Sequence, residues 1–316
     1  MPLSSEAEQL LEERVDVEWR QVAAQTEEAL LENIGNASAV LLGLAPFTEA
    51  VVAAAPLLKV VARRGVGYDN VDVPALTRAG VVLAVTGTAN SSAVAEHALH
   101  LMMTLAKRSH LHDRGMRQGR WAEMRALPPS DIAGRRVLLL GLGRIGRELL
   151  RRLLAMDMEV WVHDPYVPAE RITAAGGVAL DDWRPALPEV DYVTVNCPRT
   201  EETTGMLGDA EFAAMRSSAF VINTARGGIV DEASLYRALR DGAIAGAGID
   251  AYETEPPPDD LPLFELENVV FTPHVAGATV EALNRMDVRS VRNIFDLLDG
   301  SLDPQYAVNP ELLSTR

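Results

Sequence analysis

The chain has 316 residues, 48% hydrophobic and 23% charged, a globular composition long enough for two domains. Its 29 Lys and Arg against 45 Asp and Glu give a net charge of −16, which argues against nucleic acid or an anionic membrane as partner. One cysteine, Cys197, excludes an internal disulfide and fits a reducing compartment. No apolar run reaches the ~20 residues of a membrane helix, and the N-terminus lacks the basic start and apolar middle of a signal peptide. These features lead to the expectation of a cytoplasmic protein.

Residues Glu6–Arg14 read as helical, and short apolar runs then alternate with longer helical stretches. Strand candidates are Ala39–Leu44, Leu58–Ala62, Val81–Val85, Arg136–Gly141, Glu159–His163, Asp191–Asn196, Ala219–Asn223, Ala243–Ile249 and Val269–Thr272. Several are apolar almost throughout, which suits parallel strands covered on both faces. Helical stretches include Arg144–Met156, Asp209–Met215, Asp231–Arg240 and Thr279–Leu298. A stretch from Ser92 to about Arg120 reads as one long helix, ahead of a break at Leu127-Pro128-Pro129. Strand and helix repeated in this way imply α/β architecture with right-handed crossovers.

Gly141-Leu142-Gly143-Arg144-Ile145-Gly146 is a GxGxxG, a weak signal alone. It directly follows an apolar strand, a helix-forming stretch follows it, and Asp164 ends the next strand. Each part then has a task. Gly141 permits the turn, Gly143 admits a pyrophosphate, and Gly146 brings the helix close to its strand. The helix N-terminus attracts phosphate. Asp164 accepts hydrogen bonds from ribose hydroxyls and repels a 2′-phosphate, so NAD is expected over NADP.

Arg226, Glu255 and His274 follow the ends of three later strand candidates, where ligands of open parallel sheets bind. An Arg fork suits a carboxylate and its adjacent carbonyl. A His can donate a proton to that carbonyl oxygen as hydride reaches carbon, and Glu255 beside it would favour the imidazolium and hold the ring. Singly, each residue is more often a surface charge or an ordinary loop residue; their placement at consecutive strand ends argues for a shared site. His97 and His100, at i and i+3, lack a fuller zinc signature and read as helix-face or interface residues, so no metal is expected.

The motifs Arg64–Asp72, Asn90–His97, Gly141–Gly146, Asn223–Gly228, Asp250–Pro256 and Thr272–Gly277 occur in the order of a known family. The chain resembles the D-isomer-specific 2-hydroxyacid dehydrogenases, which include phosphoglycerate dehydrogenase and the hydroxypyruvate and glyoxylate reductases, from about Ala39 to Gly300. The resemblance implies two Rossmann-like, doubly wound parallel-sheet domains, with the NAD domain (98–284) inserted into a substrate domain (1–97 and 285–316). It implies Arg226, Glu255 and His274 as the catalytic set. For the cofactor it implies Thr86, Val94, Gly141, Gly143, Arg144, Ile145, Gly146, Asp164, Cys197, Thr224, Ala225, Arg226, Asp250, His274 and Gly277, with Asp250 at the nicotinamide carboxamide. For the substrate it implies Val66 and Gly67 at the carboxylate, with Arg226 and His274.

Arg63-Arg64 resembles the phosphoglycerate branch, where such a group meets the substrate phosphate, so a second substrate anion is expected at Arg63 or Arg64. Family members usually open on an apolar strand; this chain opens helix-like, so either that first strand is missing from the sequence or the smaller sheet is one strand short. The expected activity is NAD-dependent interconversion of a 2-keto and a 2-hydroxy acid by a homodimer. The alternative is a role like that of the C-terminal binding corepressors, relatives that keep the cofactor site and act mainly by binding proteins.

Overall fold

The computed structural model describes residues 2–314. It forms two compact units, Met1–Asn90 with Ala278–Arg316, and Ser91–Gly277. The larger unit is inserted into the chain of the smaller. The breaks fall ahead of two long helices and not at 97/98 and 284/285 as the sequence suggested, because each helix packs as one rod.

In the smaller unit the order is α1 (Ser5–Glu12), α2 (Glu27–Asn33), β1 (Ala39–Leu42), α3 (Glu49–Ala53), β2 (Val60–Arg63), α4 (Val73–Arg78) and β3 (Val82–Ala84). The three strands are parallel and lie in chain order. The reversal of winding expected of both sheets is therefore a feature of the larger one. Alternation assigns the two faces. Val61 and Leu83 pack with Phe47, Val51 and Leu76. Val60, Ala62, Val82 and Ala84 meet Ile294 and Leu297 of the last helix, Val280–Leu298, numbered α12 below.

The larger unit opens with α5 (Ser91–Lys107), α6 (Ser109–Arg117) and α7 (Trp121–Arg125). The single long helix expected here is broken at Arg108, which adopts a left-handed φ of 51°. Then come β4 (Arg136–Leu140), α8 (Arg144–Ala155), β5 (Glu159–His163), α9 (Ala169–Ala174), β6 (Val178–Ala179), β7 (Tyr192–Val195), α10 (Asp209–Ala214), β8 (Phe220–Asn223), α11 (Glu232–Arg240), β9 (Gly246–Ile249) and β10 (Val269–Phe271). The two-residue β6 has no apolar run to announce it. The strand expected over Ala243–Ile249 starts only at Gly246, because a turn occupies the preceding residues.

The seven strands are parallel, in the order β10-β9-β8-β7-β4-β5-β6. Winding reverses between β4 and β7, the switch point at which open α/β sheets bind ligands. Leu138, Leu140, Val193 and Val195 fill one side of the sheet. Val137, Leu139, Tyr192 and Ile222 face α5 and α8 on the other. Arg152 of α8 ties these two helices together through Ser92 and Glu96.

Candidate active site

The glycine loop leaves β4 at the switch point. Gly141 has φ of 98°, and a Cβ there would lie 2.9 Å from the backbone at Asn196 and Cys197. A Cβ on Gly146 would lie 2.2 Å from the Gly141 carbonyl oxygen, so α8 approaches its strand closely only because this residue is glycine. A Cβ on Gly143 would meet nothing within 4 Å. Gly143 is the N-cap of α8 and no side chain caps the helix, which leaves an open, positively polarised end for a phosphate. Arg144 is exposed at this end and Ile145 half-buried. Asp164 accepts the Leu142 amide at 2.7 Å on one oxygen and the Tyr166 amide at 2.9 Å on the other. Its carboxylate is thereby fixed beside the loop, with lone pairs remaining for ribose hydroxyls.

Asn196 Oδ1 and Thr224 Oγ1, at the ends of β7 and β8, are buried without a hydrogen-bond partner among the described residues. Such atoms need a partner, and a dinucleotide bound at the switch point would supply one. The residues thus fit the cofactor that the glycine pattern implies. Asn196 was missed in the sequence; its signal was its position at the end of a strand candidate. Val94 and Cys197 lie in this unit, Val94 buried on α5. Burial pushes the Cys197 thiol up to about 11, which keeps it protonated and a poor nucleophile at neutral pH.

These glycines give a paired prediction. Gly143→Ala has a compatible φ of −69° and open space around it, so its melting temperature should stay within about 2 °C. NADH affinity, measured by fluorescence titration, should fall about 10- to 100-fold, the cost of overpacking a tight site. Gly146→Ala should lose both stability and affinity. Equal melting losses in the two variants would contradict these separate roles.

The strand-end loops bring Arg226, Glu255 and His274 together. His274 Nδ1 donates to Glu255, 2.7 Å from Oε2 and 2.9 Å from Oε1. The Tyr252 amide donates to Glu255 Oε1 at 3.0 Å. Burial alone would raise the Glu255 carboxyl. The His274 hydrogen bond, the Tyr252 amide and the charges of His274 and Arg226 outweigh burial and hold it below the usual carboxylate range. With Nδ1 bound to Glu255, the imidazole presents Nε2 as its working atom. The Arg226 carbonyl accepts the Asn223 amide group at 2.9 Å, and Asn223 Oδ1 accepts the Ala225 amide at 3.1 Å, which shapes the loop around Arg226. Gly227, a second residue whose role was missed, brings this loop against the Glu255 loop: a Cβ there would lie 1.8 Å from the Tyr252 carbonyl oxygen.

Asp250 is fully buried. It accepts Thr272 Oγ1 at 2.6 Å and the Val275 and Ala276 amides at 2.9 Å each. Its first task is therefore to hold the loop of His274, which ends at the half-buried Gly277.

Thr86, Arg63, Arg64, Val66 and Gly67 belong to the smaller unit. Thr86 donates its amide to the Gly65 carbonyl at 3.0 Å, which holds the loop carrying Val66 and Gly67. Arg63 is buried, with Nη1 donating to the Arg64 carbonyl at 2.8 Å and the Leu42 carbonyl at 3.4 Å. Arg64 grips Asp287 of α12 through Nε and through Nη2, the latter at 2.8 Å from Oδ2. This fork holds a buried carboxylate of its own chain. Among the described residues, no group of three or more His, Cys, Asp or Glu is placed to hold a metal ion, and no helix is long and apolar enough to cross a membrane.

Comparison with known proteins agrees with this geometry. The family described as "D-isomer specific 2-hydroxyacid dehydrogenase, NAD binding domain" matches residues 99–276. The chain is 34% identical over 311 residues to a glyoxylate reductase of Korarchaeum cryptofilum, covering 97% of this chain and 93% of that protein. It is 40% identical over 259 residues to a D-3-phosphoglycerate dehydrogenase of Archaeoglobus fulgidus, covering 82% of this chain but only 49% of that protein. The chain thus spans about half the length of that relative. Among solved structures, the TT0316 protein of Thermus thermophilus superposes with a TM-score of 0.86 at 31% identity, covering 97% of each chain. With its switch-point glycine loop, its Asp164 and its Arg226–Glu255–His274 set, the chain belongs to the D-isomer specific 2-hydroxyacid dehydrogenase family and carries its NAD-binding domain.

Proposed function

We propose that the protein reduces a 2-keto acid to the D-2-hydroxy acid with NADH, and catalyses the reverse oxidation with NAD. The observation that carries this reading is the His274–Glu255 pair beside the Arg226 loop. When bound, the dinucleotide supplies or accepts the hydride. Arg226 offers a carboxylate and its neighbouring carbonyl a planar pair of donors, which orients the substrate and polarises the carbon to be reduced. His274 Nε2 gives its proton to the carbonyl oxygen, and in oxidation the same nitrogen takes it back. Glu255 balances the imidazolium and keeps Nε2 aimed outward.

The substrate loop is assigned to Val66 and Gly67, whose backbone amides suit a carboxylate. A second substrate anion, as in phosphohydroxypyruvate, is assigned to Arg63, whose guanidinium lies beside this loop: a Cβ on Gly65 would be 3.7 Å from its Nη1. Initial rates with NADH against glyoxylate, hydroxypyruvate, pyruvate and phosphohydroxypyruvate test the whole reading; no turnover of any of them would end it. The names of the relatives above are those of enzymes, which supports turnover over a corepressor-like binding role. We also propose a homodimer, supported by Met116 and Trp121, exposed at 46% and 60% around α6 and α7. Sedimentation at micromolar concentration should give twice the chain mass.

Cofactor choice rests on Asp164. NADH should exceed NADPH in kcat/KM by about 100-fold, because a 2′-phosphate beside this carboxylate meets like-charge repulsion of several kcal/mol. Asp164→Ser should narrow the ratio mainly by losing NADH efficiency. An unchanged ratio would take Asp164 out of the ribose site.

A further inference from the structure

His97, on the second turn of α5, is half-buried and faces inward. Its Nε2 lies 2.9 Å from Thr272 Oγ1, and Thr272 Oγ1 lies 2.6 Å from Asp250 Oδ1. The directions of these bonds follow from the valences. A buried carboxylate that already receives two backbone amides only accepts, so the single Thr272 hydroxyl proton goes to Asp250. The Thr272 oxygen must then accept from His97, whose Nε2 carries the proton. Burial, with a smaller contribution from His100, lowers the His97 pKa against the raising effect of Asp250, so the ring is neutral near pH 7, with Nδ1 bare.

We propose that His97 is a positioning residue for the reaction: through Thr272 and Asp250 its Nε2–H fixes the loop that carries the catalytic imidazole. This inference rests on the function proposed above. His274 has φ of 51°, a left-handed conformation that a non-glycine residue holds only when its surroundings impose it. The surroundings here are one buried anion and the groups around it. Val275 and Ala276 donate their amides to Asp250, and His274 donates its own to the Thr272 carbonyl at 3.1 Å. Tyr252 Oη donates to that carbonyl as well, at 2.9 Å. The Thr272 hydroxyl is a member of the clamp that can rotate about its side chain, and His97 removes that freedom. It does so from a rigid 17-residue helix anchored to α8 by Arg152. Releasing the hydroxyl lets the loop relax, and small displacements of a proton donor cost up to about 100-fold in rate.

The test uses the full chain, NADH and the fastest substrate of the panel above. His97→Leu should lower kcat about 10- to 100-fold and leave the NADH KM within about threefold, since His97 touches neither phosphate nor ribose site. His97→Gln, which restores a nitrogen donor at similar reach, should recover most of the loss. Thr272→Val, nearly isosteric, should reproduce His97→Leu and carries the test if His97→Leu does not fold. The double variant should be no slower than Thr272→Val alone, because both break one chain of bonds. Multiplying losses, or an unchanged kcat in both single variants, would overturn the proposal. Nitrogen-15 NMR of the ligand-free protein gives an independent reading: His97 should titrate as the Nε2–H tautomer, and an Nδ1–H tautomer would reject the bond directions outright. A wild-type chain with no turnover would defeat the proposed function, while the tautomer would still decide the His97 network.

Discussion

Replacing His274 with Gln should lower kcat by about 10²- to 10⁴-fold, the usual contribution of a positioned general acid, while NADH binding stays within a few-fold of wild type. In the proposed site the glycine loop and Asp164 would hold the dinucleotide independently of the imidazole, so the loss should fall on the proton transfer. Glu255→Gln separates geometry from charge. The amide oxygen can still accept the Nδ1–H now 2.7 Å from Oε2, so the ring stays oriented. The charge that offsets the imidazolium is gone, so kcat for reduction should fall by roughly 10-fold with the ring still in place. The Glu255 carboxyl sits below its ordinary range, so its support for His274 is present at neutral pH and is lost only as pH falls well into the acid range. Stopped-flow reduction with both variants makes the measurement. A His274→Gln variant within threefold of wild type, or a Glu255→Gln variant with wild-type kcat, would refute these roles.

Arg64→Ala should be the most destabilising single change in the smaller unit, by about 3–5 kcal/mol. Asp287 is 0% exposed on α12, and its carboxylate is held by Arg64 and by the Ser4 amide at 2.9 Å. Removing the guanidinium leaves a buried charge with one amide for compensation. The first melting transition should fall by on the order of 10 °C. Combining Arg64→Met with Asp287→Leu removes both charges and should recover most of the loss, since a buried pair replaced by apolar groups is often neutral. The ratio of kcat/KM for phosphohydroxypyruvate and glyoxylate should change little in the double variant. A selective loss with phosphohydroxypyruvate would instead return Arg64 to the substrate.

Much of the architecture was legible in the chain. Val137–Leu140, Val160–Val162 and Tyr192–Val195 are apolar almost throughout because both faces of a parallel sheet are covered. The spacing of Gly141, Gly143 and Gly146 states three separate steric requirements; the structure displays the turn at Gly141 and the close approach at Gly146, and leaves open space at Gly143. The three strand-end motifs announced Arg226, Glu255 and His274. Less legible were features set by a single backbone angle or a short ladder: the break at Arg108, the two-residue β6 and the late start of β9. No periodicity encodes these.

The sequence by itself determined where most strands and helices lie and which glycines, acids and bases are candidates for the chemistry, because those choices rest on local sterics and on the hydrophobicity of neighbouring residues. Only the tertiary structure decided the partners. Arg64 meets Asp287 across 223 residues of chain, and His97 meets Thr272 across 175. The arginine expected at the substrate grips a buried acid, and the histidine expected on a helix face or interface meets the loop of His274. Such pairings depend on which polar groups packing removes from water together, and that is fixed only when distant segments close on one another.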